Sequence, residues 1–215
     1  ESPLSDKGRK AAKPYSFKAR TRAVEGLLRA GLDVVSLANN HAMDCGRTGL
    51  VETIECLRAN GIRWCGAGNM QSEAQACRVV EANGVKVAFV GFCDFLPGMT
   101  SLPGDRPTIA LASEKTVRAC VAAASKRADI VVASFHWGVE YAWGPSEQQR
   151  KLARAAAEAG ADLVIGHHPH VLQGFEVIRT QEAGAQQAEG RATAETTPTP
   201  RATLVAYSLG NFVFD

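Results

Sequence analysis

The histidines of this sequence are concentrated at three places where a short apolar segment ends. The chain has five His, and three of them, His167, His168 and His170, lie within four positions of one another. The other two, His41 and His136, each follow an apolar segment of their own. Neutral imidazole is the commonest transition-metal ligand among side chains, so this clustering predicts a metal or catalytic site. A purely structural role for each histidine is the alternative.

The same pattern of elements leads to each of these places. A helix-like segment ends, an Asp begins a short apolar segment typical of a buried strand, and His or Asn follows it. The three segments begin at Asp33, Asp129 and Asp162. Helices that alternate with such strands predict an α/β sheet, whose ligands gather at the carboxyl ends of the strands. We therefore expect the histidines to meet at one rim, with the three Asp residues in structural roles at the far end.

Hydrophobic spacing and turn residues predict the elements that carry these segments. Helices are expected over 17–30, 47–59, 112–127 and 147–159, the last with a capping box of Ser146 and Gln149. Strands are expected over 33–38, 62–65, 129–135, 162–165, 171–178 and 204–207. A hairpin should join 77–81 to 85–92 through Asn83-Gly84. Residues 1–16 and 93–108 are predicted loops, and 180–202, almost without large apolar side chains, is a predicted flexible insertion.

The composition is that of an ordinary globular protein. The chain is 46% hydrophobic and 21% charged, and its net charge of +2 gives no reason to expect nucleic acid or an anionic membrane as partner. The six Cys include no C-x-x-C pair, so we expect buried free thiols, which favours a reducing compartment over a disulfide framework. No membrane span or signal peptide is visible. Because the chain begins at Glu1 rather than Met, we expect it to be a piece of a longer protein.

The donor types in these segments suit particular metals and reactions. His, Asn and carboxylate oxygens together favour Mn, Fe or Zn over Ca or Mg. Two such ions about 3.5–4 Å apart can activate a water and neutralise charge on the attacking and leaving oxygens, which hydrolyses phosphate esters. His168 and His170 are alternate residues of a tight loop that Pro169 stiffens, so both can face one cavity.

Four motifs, in this order along the chain, resemble those of the bacterial capsule-synthesis CapA family. They are SLANNHAMDCG (36–46), HWGVEY (136–141), GHHPHV (166–171) and YSLGNFVFD (207–215). The family is also described as poly-γ-glutamate biosynthesis, or PgsA-like, and is related to calcineurin-like metallophosphoesterases. The resemblance implies one metallophosphatase-like domain over 1–215, a four-layered α/β/β/α sandwich. The family normally opens with a strand carrying Gly-Asp, and this chain is expected to lack that first strand.

The resemblance also implies roles for individual residues. Metal ligands are expected at Glu1, Asn40, His136, His168 and His170. Glu1 is the candidate bridging carboxylate, because Glu1-Ser-Pro-Leu looks like the tail of the family's Asn-Leu-Glu-x-Pro element. His41 is expected to be the catalytic histidine near the leaving group. His167 is additional to the family's paired histidines, and ligation, substrate contact and a capping role are all open for it.

Further residues of the motifs are candidates for contacts with substrate or with the ligands. Asn39 is expected to hydrogen-bond the backbone of its loop, as Asx side chains readily do. Asp44 either orients the catalytic histidine or caps the helix that follows. Glu140 and Tyr141 either touch substrate or lie on a solvated rim. Asn211 either bonds the backbone of its Gly-Asn turn or supports the site.

Two functions are consistent with these features. The first is a metallophosphoesterase-like hydrolase that uses two divalent metal ions to cleave a phosphoester or a bond of an anionic polymer. The second is a non-catalytic accessory protein that keeps the fold for polymer binding or export. The resemblance implies a place at the cell envelope, an anionic polymer or phosphoester as substrate, and other capsule-assembly proteins as partners.

Overall fold

The computed structural model describes residues 1–95, 106–180 and 201–211, in which helices and strands alternate. A 3₁₀ turn, Thr21–Ala23, precedes the first helix. The helices are α1 (Val24–Arg29), α2 (Gly46–Ala59), α3 (Gln71–Ala74), α4 (Glu114–Ser125) and α5 (Glu147–Glu158). The strands are β1 (Val34–Ser36), β2 (Arg63–Cys65), β3 (Ala67–Gly68), β4 (Arg78–Ala82), β5 (Val85–Cys93), β6 (Thr108–Ile109), β7 (Ile130–His136), β8 (Leu163–His167), β9 (Phe175–Thr180) and β10 (Arg201–Ala206).

A six-stranded mixed sheet forms the centre of the molecule, in the order β4-β5-β7-β8-β10-β9. β5, β7, β8 and β10 run parallel, and the antiparallel β4 and β9 lie at the two edges. α4 and α5 cover one face. Val90, Ala133 and Val164 of the parallel strands are buried in the core between the sheet and these helices. Strands buried in this way are almost continuously apolar, which is why the sequence marks them clearly.

Two smaller sheets, the parallel pair β1-β2 and the antiparallel pair β3-β6, cover the other face. β2 packs against β4 and β5, and α2 packs in turn against β2. A second core lies here, and Leu50, Ile54 and Leu57 of α2 are buried in it. The order of layers is therefore helices, large sheet, small sheets and helices. This confirms the predicted four-layered α/β/β/α sandwich.

β1 has one edge that no described residue pairs with. It pairs with β2 on one side, and Val35 and Leu37 of its segment line an apolar cavity of about 290 Å³. An unpaired strand edge leaves backbone groups that another strand could satisfy. The expectation that a first strand of the fold is missing from 1–215 concerns this region, and it stays a prediction, as does the single domain.

The first predicted helix is shorter than expected. The spacing predicts a helix over 17–30, whereas α1 begins only after the 3₁₀ turn. Residues 17–20 are not helical, because Ala19 forms a bridge to the N-terminal segment and Phe17 donates its N–H to the carboxylate of Asp44. Tertiary contacts therefore override the local helical preference.

Three strands also differ from prediction at their ends. The strand predicted over 33–38 is reduced to β1, and it is partly exposed rather than buried on both faces because it belongs to a two-stranded sheet. β8 continues beyond the predicted end to His167. β9 begins at Phe175, four residues after the predicted start. The hairpin of β4 and β5 and the capping box of α5 are confirmed.

The insertion predicted over 180–202 is strand at both ends. β9 ends at Thr180 and β10 begins at Arg201, and the two residues pair in an antiparallel ladder. Thr180, Arg201 and Ala202 are therefore strand, and residues 181–200 lie outside the described residues, so the flexibility of the insertion stays a prediction. Most of the loop predicted over 93–108 lies outside them too, although Cys93 ends β5 and Thr108 begins β6.

Two of the three Asp residues that begin the apolar segments have the structural role predicted for them. Asp129 Oδ2 accepts the Lys86 N–H at 2.8 Å. Asp162 Oδ2 accepts the Val131 N–H at 2.8 Å. Each carboxylate therefore joins the start of its strand to the neighbouring strand, at the end of the sheet opposite the histidines.

The cysteines are all free thiols, and five of the six are buried, as expected. Among the described residues, no helix combines the length and apolar character needed to cross a membrane.

Gly166 of β8, just before the histidine loop, is packed tightly against two other segments of the protein. A Cβ at this position would lie 2.0 Å from the Tyr207 carbonyl oxygen and 2.4 Å from Trp137 Nε1. These two atoms are joined by a 2.8 Å hydrogen bond, which Trp137 donates. We expect Gly166→Ala to lower the free energy of unfolding by at least ~2 kcal/mol, because the methyl group would break this bond or displace β8.

Urea unfolding of Gly166→Ala and of Gly174→Ala measures this effect. Gly174 is the matched control, since a Cβ there would meet no atom within 4 Å. Equal stability of the two variants would contradict the close packing around β8.

Candidate metal centre

Three strand ends meet at one edge of the fold, as the sequence predicts. His136 is the last residue of β7, Asn40 follows β1, and His168 follows β8. His136 Nε2 lies 2.9 Å from Asn40 Oδ1, although 96 positions separate them in sequence. The ring centroids of His136 and His168 are 4.8 Å apart. Donor atoms from three separate elements therefore share one site.

The carboxylate of Glu1 lies between two histidines of different elements. Its Oε1 is 3.8 Å from His136 Nδ1, and its Oε2 is 4.0 Å from His41 Nε2. Both distances are too long for hydrogen bonds. The carboxylate thus approaches two imidazoles without bonding either, and the bridging role of Glu1 stays a prediction.

A second group of potential ligands surrounds His168. Donor atoms of Glu140, His168 and His170 all lie within 4.8 Å of one another. The sequence predicts that Glu140 either touches substrate or lies on a solvated rim, whereas the structure places its carboxylate beside the two histidines. The available signal was its place four residues after His136 in the HWGVEY motif.

The backbone near this group adopts unusual conformations. Tyr141, His168 and His170 have positive φ angles of 62°, 98° and 61°. Such conformations are unfavourable for residues with a Cβ and persist where the surrounding structure enforces them, often at functional sites. Here the Tyr141 N–H donates to the Pro169 carbonyl oxygen at 2.8 Å and joins two loops. The geometry of the histidine loop is therefore set by its neighbours.

Burial disfavours the charged form of three histidines of the site. Together with the nearby His168 and His167, it lowers the pKa of His136 to about 2. Burial also lowers the pKa of His167 and of His168. Each neutral ring then offers a nitrogen lone pair at pH 7.

The environment of one ring nitrogen shows whether these residues suit a metal ion. His168 Nδ1 is buried and has no hydrogen-bond partner among the described residues. Buried polar atoms normally have partners, so this nitrogen is in the state expected of a metal ligand. Neutral imidazoles, an amide oxygen and carboxylates are the donor set of Mn, Fe or Zn sites. The residues therefore fit the predicted metal chemistry.

A buried carboxylate orients His41. His41 Nδ1 lies 2.8 Å from Asp44 Oδ2, and the Asp44 side chain is fully buried. The same oxygen accepts the Phe17 N–H at 2.6 Å, and the Lys13 ammonium forms an ion pair with the other oxygen. The helix that follows, α2, has no side-chain cap. Of the two roles open for Asp44, the geometry therefore supports orientation of His41, whose Nε2 is left on the side of Glu1.

A cleft of about 720 Å³ gives access to these residues. It is lined by His41, Glu140 and His170 of the site and by Lys13 and Tyr15 of the N-terminal segment. This volume is within the usual range of small-ligand sites. The cleft is therefore large enough to hold a small ligand beside the histidines.

Similarity to known proteins extends over the whole chain. Residues 1–215 match the bacterial capsule synthesis protein family PGA_cap. The chain belongs to this family. It is 34% identical over 210 residues to the capsule biosynthesis protein CapA of Bacillus anthracis, covering 96% of this chain and 46% of that protein. It is also 34% identical over 208 residues to the PGA biosynthesis protein CapA of Bacillus subtilis (strain 168), covering 96% and 49%. The chain thus spans about half the length of these relatives.

The fold of this PGA_cap chain is shared with a solved structure of low sequence identity. The 5′-nucleotidase precursor from Thermus thermophilus superposes with a TM-score of 0.54 and 17% identity, covering 90% of this chain and 38% of that one. At this identity the likeness concerns the fold alone.

Two further motif residues of the PGA_cap chain hold parts of the site in place. Asn39 Oδ1 accepts the His41 N–H at 2.9 Å, the loop-backbone bond expected of it. Asn211 Oδ1 lies 2.8 Å from His170 Nδ1. Of the two roles open for Asn211, support of the site is therefore the one present, because this contact fixes the plane of the His170 ring.

Two other motif residues lie beside the ligand groups. His167 stands opposite His136 in the parallel register of β7 and β8, and it is partly buried. Ligation and substrate contact both fit this position. Tyr141 is 62% exposed, and its ring centroid is 6.1 Å from that of His170. It therefore belongs to the solvated rim of the site.

Three residues outside the motifs contact either a histidine or the carboxylate that holds His41, and the sequence did not predict them. Lys13 pairs with the carboxylate that holds His41, and the Phe17 ring lies 4.4 Å from the His41 ring. The Phe95 ring lies 4.6 Å from that of His168. No local spacing marks these residues, because each reaches the site only through the folding of a distant segment.

Removal of the buried carboxylate tests how far the site depends on it. Asp44→Ala would leave the Phe17 N–H and the Lys13 ammonium without their acceptor. We expect the free energy of unfolding to fall by about 3 kcal/mol. Asp33→Ala is the matched control, since Asp33 is exposed and its carboxylate accepts no hydrogen bond in the described part of the chain. Urea unfolding curves compare the two, and equal stability would contradict a structural role for Asp44.

Proposed function

We propose that this chain is the metal-dependent hydrolase domain of a protein of capsule or poly-γ-glutamate biosynthesis. Its substrate would be a phosphoester or a bond of the anionic polymer itself. Membership of the PGA_cap family supports the biosynthetic role. One observation supports the hydrolase role. Uncharged imidazoles, an amide oxygen and two carboxylates converge beside His41, which the buried carboxylate of Asp44 orients.

Two groups of residues would hold the metal ions. The first consists of Glu1, Asn40 and His136, and the second of Glu140, His168 and His170. We propose two divalent ions, Mn, Fe or Zn, shared by these groups. Bound ions of this kind activate water and offset charge on the oxygens of the reacting group.

His41 is proposed to protonate the leaving group. With Nδ1 bonded to Asp44, its Nε2 is the atom that can carry a proton into the cleft. The buried carboxylate keeps the ring in this orientation. Lys13 and the Phe17 N–H hold the carboxylate in turn, so the proton-carrying atom has a fixed position.

The metal proposal is tested by removing one ligand charge. We expect the full-length protein to retain about two Mn, Fe or Zn ions per chain after dialysis. Glu140→Gln should weaken metal binding by at least about tenfold, because an amide oxygen replaces a charged carboxylate. Glu147→Gln is the matched control, since Glu147 is an exposed carboxylate of the first turn of α5. Elemental analysis measures all three proteins. A wild-type protein without transition metal, and with unchanged activity in His168→Ala, would refute the proposal.

The role of His41 predicts a different result. His41→Gln should retain the metal but lower kcat by about 10²–10⁴-fold, as expected when a general acid is lost. The assay uses a panel of phosphoesters and γ-linked glutamate oligomers with the full-length protein. An unchanged kcat with the substrate that the wild type cleaves would exclude His41 as the proton donor.

The non-catalytic accessory role makes the opposite prediction in cells. If it is correct, polymer yield should survive His41→Gln and His170→Ala but not deletion of the whole domain. Under the hydrolase proposal each point variant should change polymer yield or chain length. Gel electrophoresis of the extracted polymer measures both quantities.

A further inference from the structure

The net charge of the chain conceals a strongly basic segment near its start. Residues 7–29 hold eight of the 24 Lys and Arg residues but one of the 22 Asp and Glu residues. This segment therefore carries a formal charge of +7, whereas the other residues together carry −5. Charge asymmetry of this kind indicates a surface for a polyanion, even when the whole chain is nearly neutral.

The three arginines at the end of this segment surround one concave surface. Arg20, Arg22 and Arg29 are exposed and line a shallow cavity of about 590 Å³, together with Glu25. Arg20 precedes the 3₁₀ turn, Arg22 lies in it and Arg29 ends α1. Three guanidinium groups from one turn and one short helix are thus presented on the same side of the protein.

These guanidinium groups are not used for structure. Within the described ranges, none of the three forms an ion pair within 4.0 Å or a side-chain hydrogen bond. By contrast, Arg118 pairs with Glu158 at 2.6 Å, and Arg201 pairs with Asp162 at 2.8 Å. Guanidinium donors match the geometry of carboxylates and phosphates in pairs of hydrogen bonds. The donors of the basic cavity are therefore available for an anionic ligand.

The basic cavity is linked to the cleft at the metal centre. Ala23 lines both the basic cavity and the apolar cavity beside β1, and Ser2 lines both that apolar cavity and the cleft. Lys13 lies in the cleft, and seven positions separate it from Arg20, which limits their Cα distance to about 25 Å. A polymer chain of several units could occupy both places at once.

We propose that Arg20, Arg22 and Arg29 form a second binding surface for a polycarboxylate chain whose reacting unit lies in the cleft. The inference rests on the proposed function, because that function supplies the polymer. The surface holds carboxylates of units distant from the reacting bond. Long chains are therefore bound more tightly than short oligomers, and the preference weakens as salt screens the arginines.

The test compares two triple variants of the full-length protein. Arg20→Gln, Arg22→Gln and Arg29→Gln together remove the basic surface. Lys115→Gln, Lys151→Gln and Arg154→Gln remove the same charge from exposed positions of α4 and α5 on the opposite layer. The probes are fluorescently labelled poly-γ-glutamate of several tens of units and a γ-linked glutamate trimer, with binding measured by anisotropy.

We expect the first triple variant to bind the long polymer about tenfold more weakly, since three exposed ion contacts are lost. Binding of the trimer, and kcat with a small phosphoester, should not change. The control variant should bind the long polymer like the wild type. Replacement of the same three arginines by Lys should restore most of the affinity, which separates loss of charge from loss of folding.

Three outcomes would overturn the inference. The first is unchanged binding of the long polymer by the arginine variant, and the second is equal weakening in both triple variants. The third concerns membranes, because Leu28 and Leu32 are exposed near α1. Loss of binding to phosphatidylglycerol vesicles, with polymer binding unchanged, would assign the surface to lipid. Binding needs no hydrolysis, so a protein that loses polymer binding in the arginine variant yet cleaves no substrate refutes only the hydrolase proposal.

Discussion

The parallel register of β7 and β8 places the ends of the two strands side by side. The site depends on that register. Val132 pairs with Leu163, so His136 stands opposite His167, and the loop after β8 carries His168 past the sheet edge. Moving either strand by one residue would turn its histidine to the helix-covered face. The register is held at the opposite end of the sheet, where Asp162 accepts the Val131 N–H. A contact far from the site thereby contributes to its geometry.

Several features of this rim lower the stability of the folded state. Buried imidazoles that stay neutral, a nitrogen without a hydrogen-bond partner and three non-glycine residues with positive φ are each unfavourable in isolation. The apolar cores on both sides of the large sheet supply the stability that offsets them. Unfavourable features gathered in one place are typical of sites shaped for a ligand.

The N-terminal segment contributes residues both to the metal centre and to the basic cavity. Its Lys13 and Phe17 contact the Asp44 carboxylate that orients His41, and its arginines form the basic cavity beyond. Asp44 is buried and receives donors from both sides. The same segment therefore supports the proposed proton donor and offers a surface to an anionic chain. Its non-helical conformation over 17–20 leaves the Phe17 N–H free to donate to the Asp44 carboxylate.

The sequence alone determined the alternation of helices and strands, the strand ends that carry the histidines and the family. It could do so because burial leaves a local pattern: continuous apolar segments in parallel strands, helical spacing in α2, and a capping box in α5. Only the tertiary structure placed Glu140 beside His168 and His170. It also decided that Asp44 bonds His41, and it brought Lys13 and Phe17 to the site. Apart from His41 and Asp44, whose pairing the sequence left open beside helix capping, these contacts join residues 27 or more positions apart. No local spacing encodes such distances, because they follow from how whole layers pack.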